Sequence, residues 1–325
     1  MFMSKYFKIC GILAIAMLWA CSDDESPTSI NAGQSLLEPN DSSSSSAELE
    51  ALVAESSSAT VENLKKSKFV EVEFQGFANN SQGELYLGYE MVYSDYKILS
   101  DSSATYEYTS TSYNENGTVS DRTITKASQQ GTKTISKMEK ISYDYSTGEQ
   151  KVLSKSSSEL EEITEYDEDV NYASYQSSRL KLGADDEQTN KPVSAFTMTK
   201  EFVGETEKGR KYILHNKSND RETSRQYAYV DSDGFITELS SDDPDASTYL
   251  YDRLPNAPES LSKSTECGRP LVDEGSVYEY YNLSCEDVVN TADEYKLVVK
   301  HSYKFKYSNE ESITEMHYTF KRFEY

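Results

Sequence analysis

The sequence predicts an all-β protein whose folded part is a large, tyrosine-rich antiparallel meander sheet, arranged either as a sandwich or as a half-barrel. Beyond Lys68, apolar and polar residues alternate with a period of two, in runs rich in Tyr, Val, Ile, Thr and Phe that glycine turns separate. No long segment has the 3.6-residue period of an amphipathic helix. The spacing of the turns predicts about 12 to 15 strands.

The first 20 residues have the organisation of a secretion signal. Lys5 and Lys8 give it a positively charged start, and residues 9–20 are mostly apolar, with the small Ala20 just before Cys21. A run of 12 residues is too short for a transmembrane helix, because a hydrocarbon core about 30 Å thick needs about 20 residues. Residues 1–20 are therefore predicted to be a signal peptide.

The residues around the end of this signal resemble the lipobox of bacterial lipoproteins. Leu18 supplies the branched aliphatic residue, Ala20 the small residue and Cys21 the attachment point, whereas Trp19 departs from the small residue usual there. The resemblance implies a diacylglyceryl thioether and an N-acyl chain on Cys21, which together anchor a protein durably in a membrane. An ordinary secretory signal cut nearby and an uncleaved helix are the alternatives.

Residues 21–68 are predicted to be the lipidated cysteine and a disordered tether. The segment holds Pro27, Pro39, and serine runs at 42–46 and 56–58, with few large apolar residues. Such a chain would hold the β domain, predicted over residues 69–325, away from the bilayer. The expected location is the outer membrane or cell envelope, facing the periplasm or the cell surface.

The charge of the chain excludes one class of partner. Its formal net charge is -24, and removal of Lys5 and Lys8 with the signal would bring it to -26. Nucleic acid is therefore not an expected partner. The expected partners are the membrane, reached through the lipid anchor, and an envelope protein or glycan.

Two cysteines remain for the folded part, Cys267 and Cys285. In an oxidising envelope they are expected to form a disulfide, because a redox or metal site would need a closer spacing or a nearby histidine.

Glycine turns divide the predicted strands. Hairpins are expected at Gly117, Gly148 and Gly234, with further breaks at Gly83 and Gly209.

The last hairpin allows its register to be argued. Apolar residues are odd-numbered in the strand that begins at 295 and even-numbered in the returning strand. Both sets share one face only if the loop has an even number of residues, the simplest being 309–310. This would place His301 opposite Tyr318 and Lys304 opposite Glu315.

No catalytic residue, metal site or cofactor is predicted. His301 and His317 fall on opposite faces, and His215 stands alone. The Asp231–Asp233 segment lacks the flanking carboxylates of a calcium loop and is expected to be a hairpin turn. The acidic run at residues 159–169 is expected to be a solvated sheet edge, with weak calcium binding as the alternative.

The tyrosines and one long irregular stretch are the best candidates for binding. Tyrosine suits a sheet face that is partly exposed to solvent, where it forms cross-strand ladders or an aromatic platform for a glycan or a protein. Residues 242–272 hold four prolines and form a long loop, a kind of segment that is often functional. The candidate binding residues in this loop are Tyr249, Tyr251, Arg253 and Arg269.

The predicted function is that of a membrane-anchored envelope lipoprotein acting as a non-catalytic binding module. The alternatives are a carrier of apolar ligands in a curved sheet, and an envelope hydrolase with converging carboxylates of raised pKa.

Overall fold

The computed structural model describes residues 66–145, 149–167, 169–182, 192–219, 221–241, 247–254, 256–258, 261, 264–273 and 276–325. The predicted signal peptide and nearly all of the predicted tether lie outside these residues. The described chain forms sixteen β-strands and no α-helix. The strands are β1 Ser67–Asn79, β2 Leu85–Ser100, β3 Ser103–Tyr113, β4 Val119–Gln130, β5 Lys133–Asp144, β6 Lys151–Asp167, β7 Tyr172–Leu182, β8 Pro192–Thr206, β9 Gly209–Ser218, β10 Arg221–Val230, β11 Ile236–Ser241, β12 Tyr249–Tyr251, β13 Gly268–Pro270, β14 Tyr278–Asn290, β15 Glu294–Phe305 and β16 Glu311–Glu324.

All sixteen strands belong to one antiparallel sheet. Each strand pairs with its neighbour in sequence except β13 and β14, and β1 also pairs with β16. The two edges of the sheet are therefore consecutive strands, and the sheet is nearly closed into a barrel. The all-β antiparallel meander is confirmed. The sheet closes further than a half-barrel, and it is not divided into the two layers of a sandwich.

A disulfide crosses the seam between the two edges. Cys267, next to β13, is bonded to Cys285 in β14, with their Cα atoms 6.1 Å apart. The predicted disulfide is thus present in the structure, and it links the two strands that the hydrogen-bond ladders leave unpaired.

The hairpins fall where glycines predict them. Gly117 lies between β3 and β4 with a φ of 78°, and Gly234 lies between β10 and β11 with a φ of 86°. These left-handed conformations explain the need for glycine. Gly83 and Gly209 also lie at turns, and Gly148 lies outside the described residues.

The number of strands exceeds the prediction because the stretch 242–272 is not wholly irregular. It contains β12 and β13, each only three residues long. Strands this short carry too little alternation to be recognised from a sequence pattern.

The predicted register of the last hairpin is wrong by four residues. His301 lies opposite Thr314, not Tyr318, and Lys304 lies opposite Glu311, not Glu315. The ladder between β15 and β16 ends at the pair Lys304–Glu311. The chain turns earlier than predicted, because the amide of Ser308 donates to the carbonyl oxygen of Phe305 at 3.0 Å, and residues 305–310 replace the two-residue turn at 309–310. The loop nevertheless has an even number of residues, as predicted, so the apolar residues of both strands lie on the same face.

One face of the sheet, here called the inner face, carries the two apolar clusters. The first joins β1, β2, β15 and β16, and the second joins β8 to β11. Tyr172 of β7 donates a hydrogen bond to Gln226 of β10 at 3.5 Å, although these strands would lie about 14 Å apart in a flat sheet. The sheet is therefore concave on this face.

The opposite, outer face is wet. Lys126 of β4 pairs with Glu107 of β3 at 3.0 Å, and on neighbouring strands Lys133 pairs with Glu161 at 2.9 Å. Such exposed pairs each contribute little to stability, but they show that the outer face is in contact with solvent. The acidic run is not a sheet edge as predicted, because β6 lies between β5 and β7.

Candidate functional site

The structure places the four predicted loop residues in two different environments. Tyr249 and Tyr251 form the ends of β12 and are half-buried on the inner face. Arg253 forms ion pairs with Asp231 at 2.6 Å and Asp233 at 3.0 Å.

These pairs fasten Arg253 to the β10–β11 turn and explain the two aspartates without calcium. The fourth predicted residue, Arg269, is half-buried, and its guanidinium lies 3.6 Å from the carboxylate of Asp252. The arginines therefore stabilise the loop, whereas the tyrosines face the concavity.

The connection from β12 to β13 packs on the inner face. Leu254 and Leu261 are buried in the same cluster as Phe74 and Tyr295. The amide of Asn256 donates to Asp287 of β14 at 2.9 Å. This loop thus fills the concavity over β1, β2, β15 and β16.

A set of uncharged polar and aromatic side chains lies along the rest of the inner face, and we call it the tyrosine row. Its members are Tyr172, Asn216, Gln226, Tyr249, Tyr251, Tyr278, Tyr281, His301 and Tyr303. The amide of Asn216 on β9 donates to Gln226 at 2.8 Å, and Gln226 in turn accepts from Tyr172. Tyr172 and Tyr251 pack against the same cluster. The strands place these side chains together because all of them lie on the concave face.

The row continues across the seam. The rings of Tyr249 and Tyr251 are 6.5 Å apart and nearly parallel. On β14 and β15, the rings of Tyr281 and Tyr303 stack at 5.4 Å, and the hydroxyl of Tyr281 hydrogen-bonds Nδ1 of His301 at 2.7 Å.

The row is uncharged at neutral pH. Burial, with the neighbouring phenols of Tyr249 and Tyr303, raises the pKa of Tyr278 to about 12. Burial and nearby tyrosines likewise raise the pKa of Tyr251 and Tyr281. Burial lowers the pKa of His301 to about 4, so its imidazole is neutral at pH 7.

Two buried polar atoms at the ends of the row lack a partner within the described protein. They are Oδ1 of Asn216, a residue 3 % exposed, and Nε2 of His301, a residue 7 % exposed. A buried polar atom without a hydrogen bond costs about 1–3 kcal/mol, so such atoms are uncommon and point to a role.

A pair of carboxyl groups lies elsewhere on the inner face, at the junction of the loop and the sheet. Glu71 of β1 faces inward opposite Phe320, and the carboxylate of Glu266 accepts a hydrogen bond from Tyr318 at 2.7 Å. Burial and the Glu266 carboxyl raise the pKa of Glu71 well above its usual value. Burial raises the pKa of Glu266, and the hydrogen bond from Tyr318 partly offsets this rise.

The histidines do not meet. His301 is buried on the inner face, whereas His317 lies on the outer face, where it contacts Glu315 and the ring of Phe77. His215 lies 3.5 Å from Glu201 on the outer face. In the described ranges, no three His, Cys, Asp or Glu side chains are grouped so that they could hold a metal ion.

Sequence reasoning missed Asn216, Gln226 and the Glu71–Glu266 pair. No local pattern signals them, because each contacts a partner on another strand or in the loop that precedes β13. The described part of the chain contains no helix long and apolar enough to cross a membrane.

Comparison with known proteins adds little. No protein-family model matches the sequence, and no curated protein matches it. A solved structure described as a porin-like protein from Bacteroides uniformis aligns with 77 % of this chain and 98 % of its own, at 10 % identity and a TM-score of 0.24. A likeness at this level does not bear on fold or function.

Proposed function

We propose that the protein is a lipid-anchored envelope protein that acts as a non-catalytic binding module and holds its partner along the tyrosine row. The observation that carries the proposal is the row itself, a set of half-buried tyrosines with no charged member on one concave face. Tyrosine combines a broad apolar ring with a polar tip, which suits a recognition surface.

The two alternative functions have less support. A carrier of apolar ligands needs an empty apolar concavity, whereas Leu254 and Leu261 occupy part of this one and tyrosines line the rest. A hydrolase would need converging carboxyls such as Glu71 and Glu266, but these adjoin Tyr318, which is 3 % exposed, and not the row. We therefore assign the carboxyl pair to the attachment of the loop.

Replacing Cys21 with alanine should release a folded, soluble protein from the membrane, because the thiol that would carry the acyl chains is gone. Fractionation after a high-salt wash, with metabolic labelling by a fatty-acid analogue, measures the effect. Cys10→Ala, within the predicted signal, is the matched control and should remain lipidated. Continued membrane association of the Cys21→Ala protein would exclude the proposed anchor.

A further inference from the structure

We infer that the ligand of the tyrosine row is an uncharged carbohydrate chain that lies across the strands between Asn216 and His301. The inference rests on the proposed binding function and names the chemical class of its ligand.

The shape of the row matches an extended, ring-based ligand. It runs across the strands from β9 through β12 to β15 in three groups. Asn216, Gln226 and Tyr172 are joined by hydrogen bonds, Tyr249 and Tyr251 by a ring contact, and Tyr281 and His301 by a hydrogen bond. The tyrosines are half-buried, so their rings are partly accessible from the concavity. The C–H faces of sugar rings pack on such apolar ring surfaces while the sugar hydroxyls reach polar tips.

The two unpartnered atoms favour hydroxyl groups in particular. Oδ1 of Asn216 can only accept a hydrogen bond, whereas Nε2 of His301 donates or accepts according to the tautomer set by Tyr281. A hydroxyl is both donor and acceptor, so it satisfies either atom. A sugar chain offers many hydroxyls at intervals, which suits two such atoms at separate points of one face.

The electrostatics of the row favour a neutral ligand. The hydrogen bonds that link Asn216, Gln226, Tyr172, Tyr281 and His301 involve no lysine, arginine or carboxylate side chain. Buried tyrosines and a neutral imidazole provide no cation for a sulfate, phosphate or uronate. The inner-face cations Lys200 and Arg210 lie outside the row, where Lys200 is paired with Asp167 and Asp169 and Arg210 donates to the carbonyl oxygen of Asp231. The net charge of -24 also disfavours an anionic polymer.

Affinity electrophoresis of the full-length, detergent-extracted protein tests the inference. Native gels would contain dextran, galactomannan or xyloglucan as neutral probes, and pectate or chondroitin sulfate as anionic probes. We expect at least one neutral polysaccharide to retard the protein and the anionic ones to have no effect. No retardation by any neutral probe, or retardation by anionic probes alone, would overturn the inference.

Variants then locate the site. Tyr249→Ala should weaken retardation about tenfold or more, the effect of losing about 1.4 kcal/mol of contact energy. Tyr281→Phe keeps the ring and removes only the hydroxyl that orients His301, so it should weaken binding with less risk to folding. The matched control is Tyr280→Ala, because Tyr280 lies opposite Lys304 on the outer face, and it should bind as the parent does.

The outcomes separate this inference from the proposed function. If Tyr249→Ala abolishes in-cell cross-linking to an envelope protein while no polysaccharide binds, the partner is a protein and the carbohydrate inference is wrong. If Tyr249→Ala and Tyr281→Phe change neither readout while the circular dichroism spectrum stays native, the row is not a binding site and both ideas are wrong.

Discussion

Replacing Cys267 and Cys285 with serine is expected to lower the free energy of unfolding by about 3 kcal/mol. The bond closes a loop with a sequence separation of 18, and restricting the unfolded chain by such a loop accounts for a loss of about this size. The seam makes the loss more severe in this sheet, because β13 offers only three residues and does not form a ladder with β14. Urea unfolding of the parent and the double variant measures the difference.

Reducing agent provides the control for this prediction. Dithiothreitol should bring the parent to the stability of the double variant and leave the variant unchanged. Hydrogen exchange should speed up first in β12 and β13, where few backbone hydrogen bonds hold the edge. Equal urea midpoints for the oxidised parent and the variant would show that the seam is held by packing alone.

The second large effect is a loss of stability as pH rises above about 5, caused by Glu71 and Glu266. Both carboxyls have a higher pKa in the folded protein than in the unfolded chain, chiefly because they are buried. The folded state therefore binds more protons than the unfolded state. Their contribution is complete below the ordinary carboxyl pKa and is lost as pH rises through the raised values, at up to about 1.4 kcal/mol per pH unit for each group.

Glutamine substitutions should remove this dependence. Relative to the parent, Glu71→Gln is expected to gain stability steadily between pH 5 and pH 8, and the double variant with Glu266→Gln should show the flattest profile. Glu73→Gln, on the outer face of the same strand, controls for the change in net charge. Parallel stability profiles for the parent and Glu71→Gln would refute the assignment.

Much of the fold follows from alternation and turns. The alternation of apolar and polar residues with a period of two predicted β-strands. Glycines such as Gly117 and Gly234 predicted the positions of hairpins, because only a residue without a Cβ adopts their backbone angles easily. The alternation of residues, with a loop of even length, correctly placed His301 and His317 on opposite faces. The exact register of the last hairpin was beyond this reasoning, because alternation decides only whether the loop has an even or an odd number of residues and not where the turn begins.

The site was harder to predict for a geometric reason. Glu71 faces inward beside a bulge between Glu71 and Glu73, which shifts the alternation of β1. Its partner, Glu266, is brought to it by a loop whose path no pattern reveals. The long proline-rich stretch did draw attention to Tyr249 and Tyr251, but only the closure of the sheet brings Tyr249 near Tyr278 and Tyr281.

The pairing of β1 with β16 has a consequence for biogenesis. Ser67 lies opposite Glu324, so β1 obtains its second neighbour from a segment that is synthesised more than 200 residues later. Hairpins from β2 onward join residues close in sequence and can form early, whereas this final ladder must close a loop of more than 200 residues. During synthesis one edge of β1 is therefore exposed until β16 emerges, and this interval is when a chaperone would be needed most.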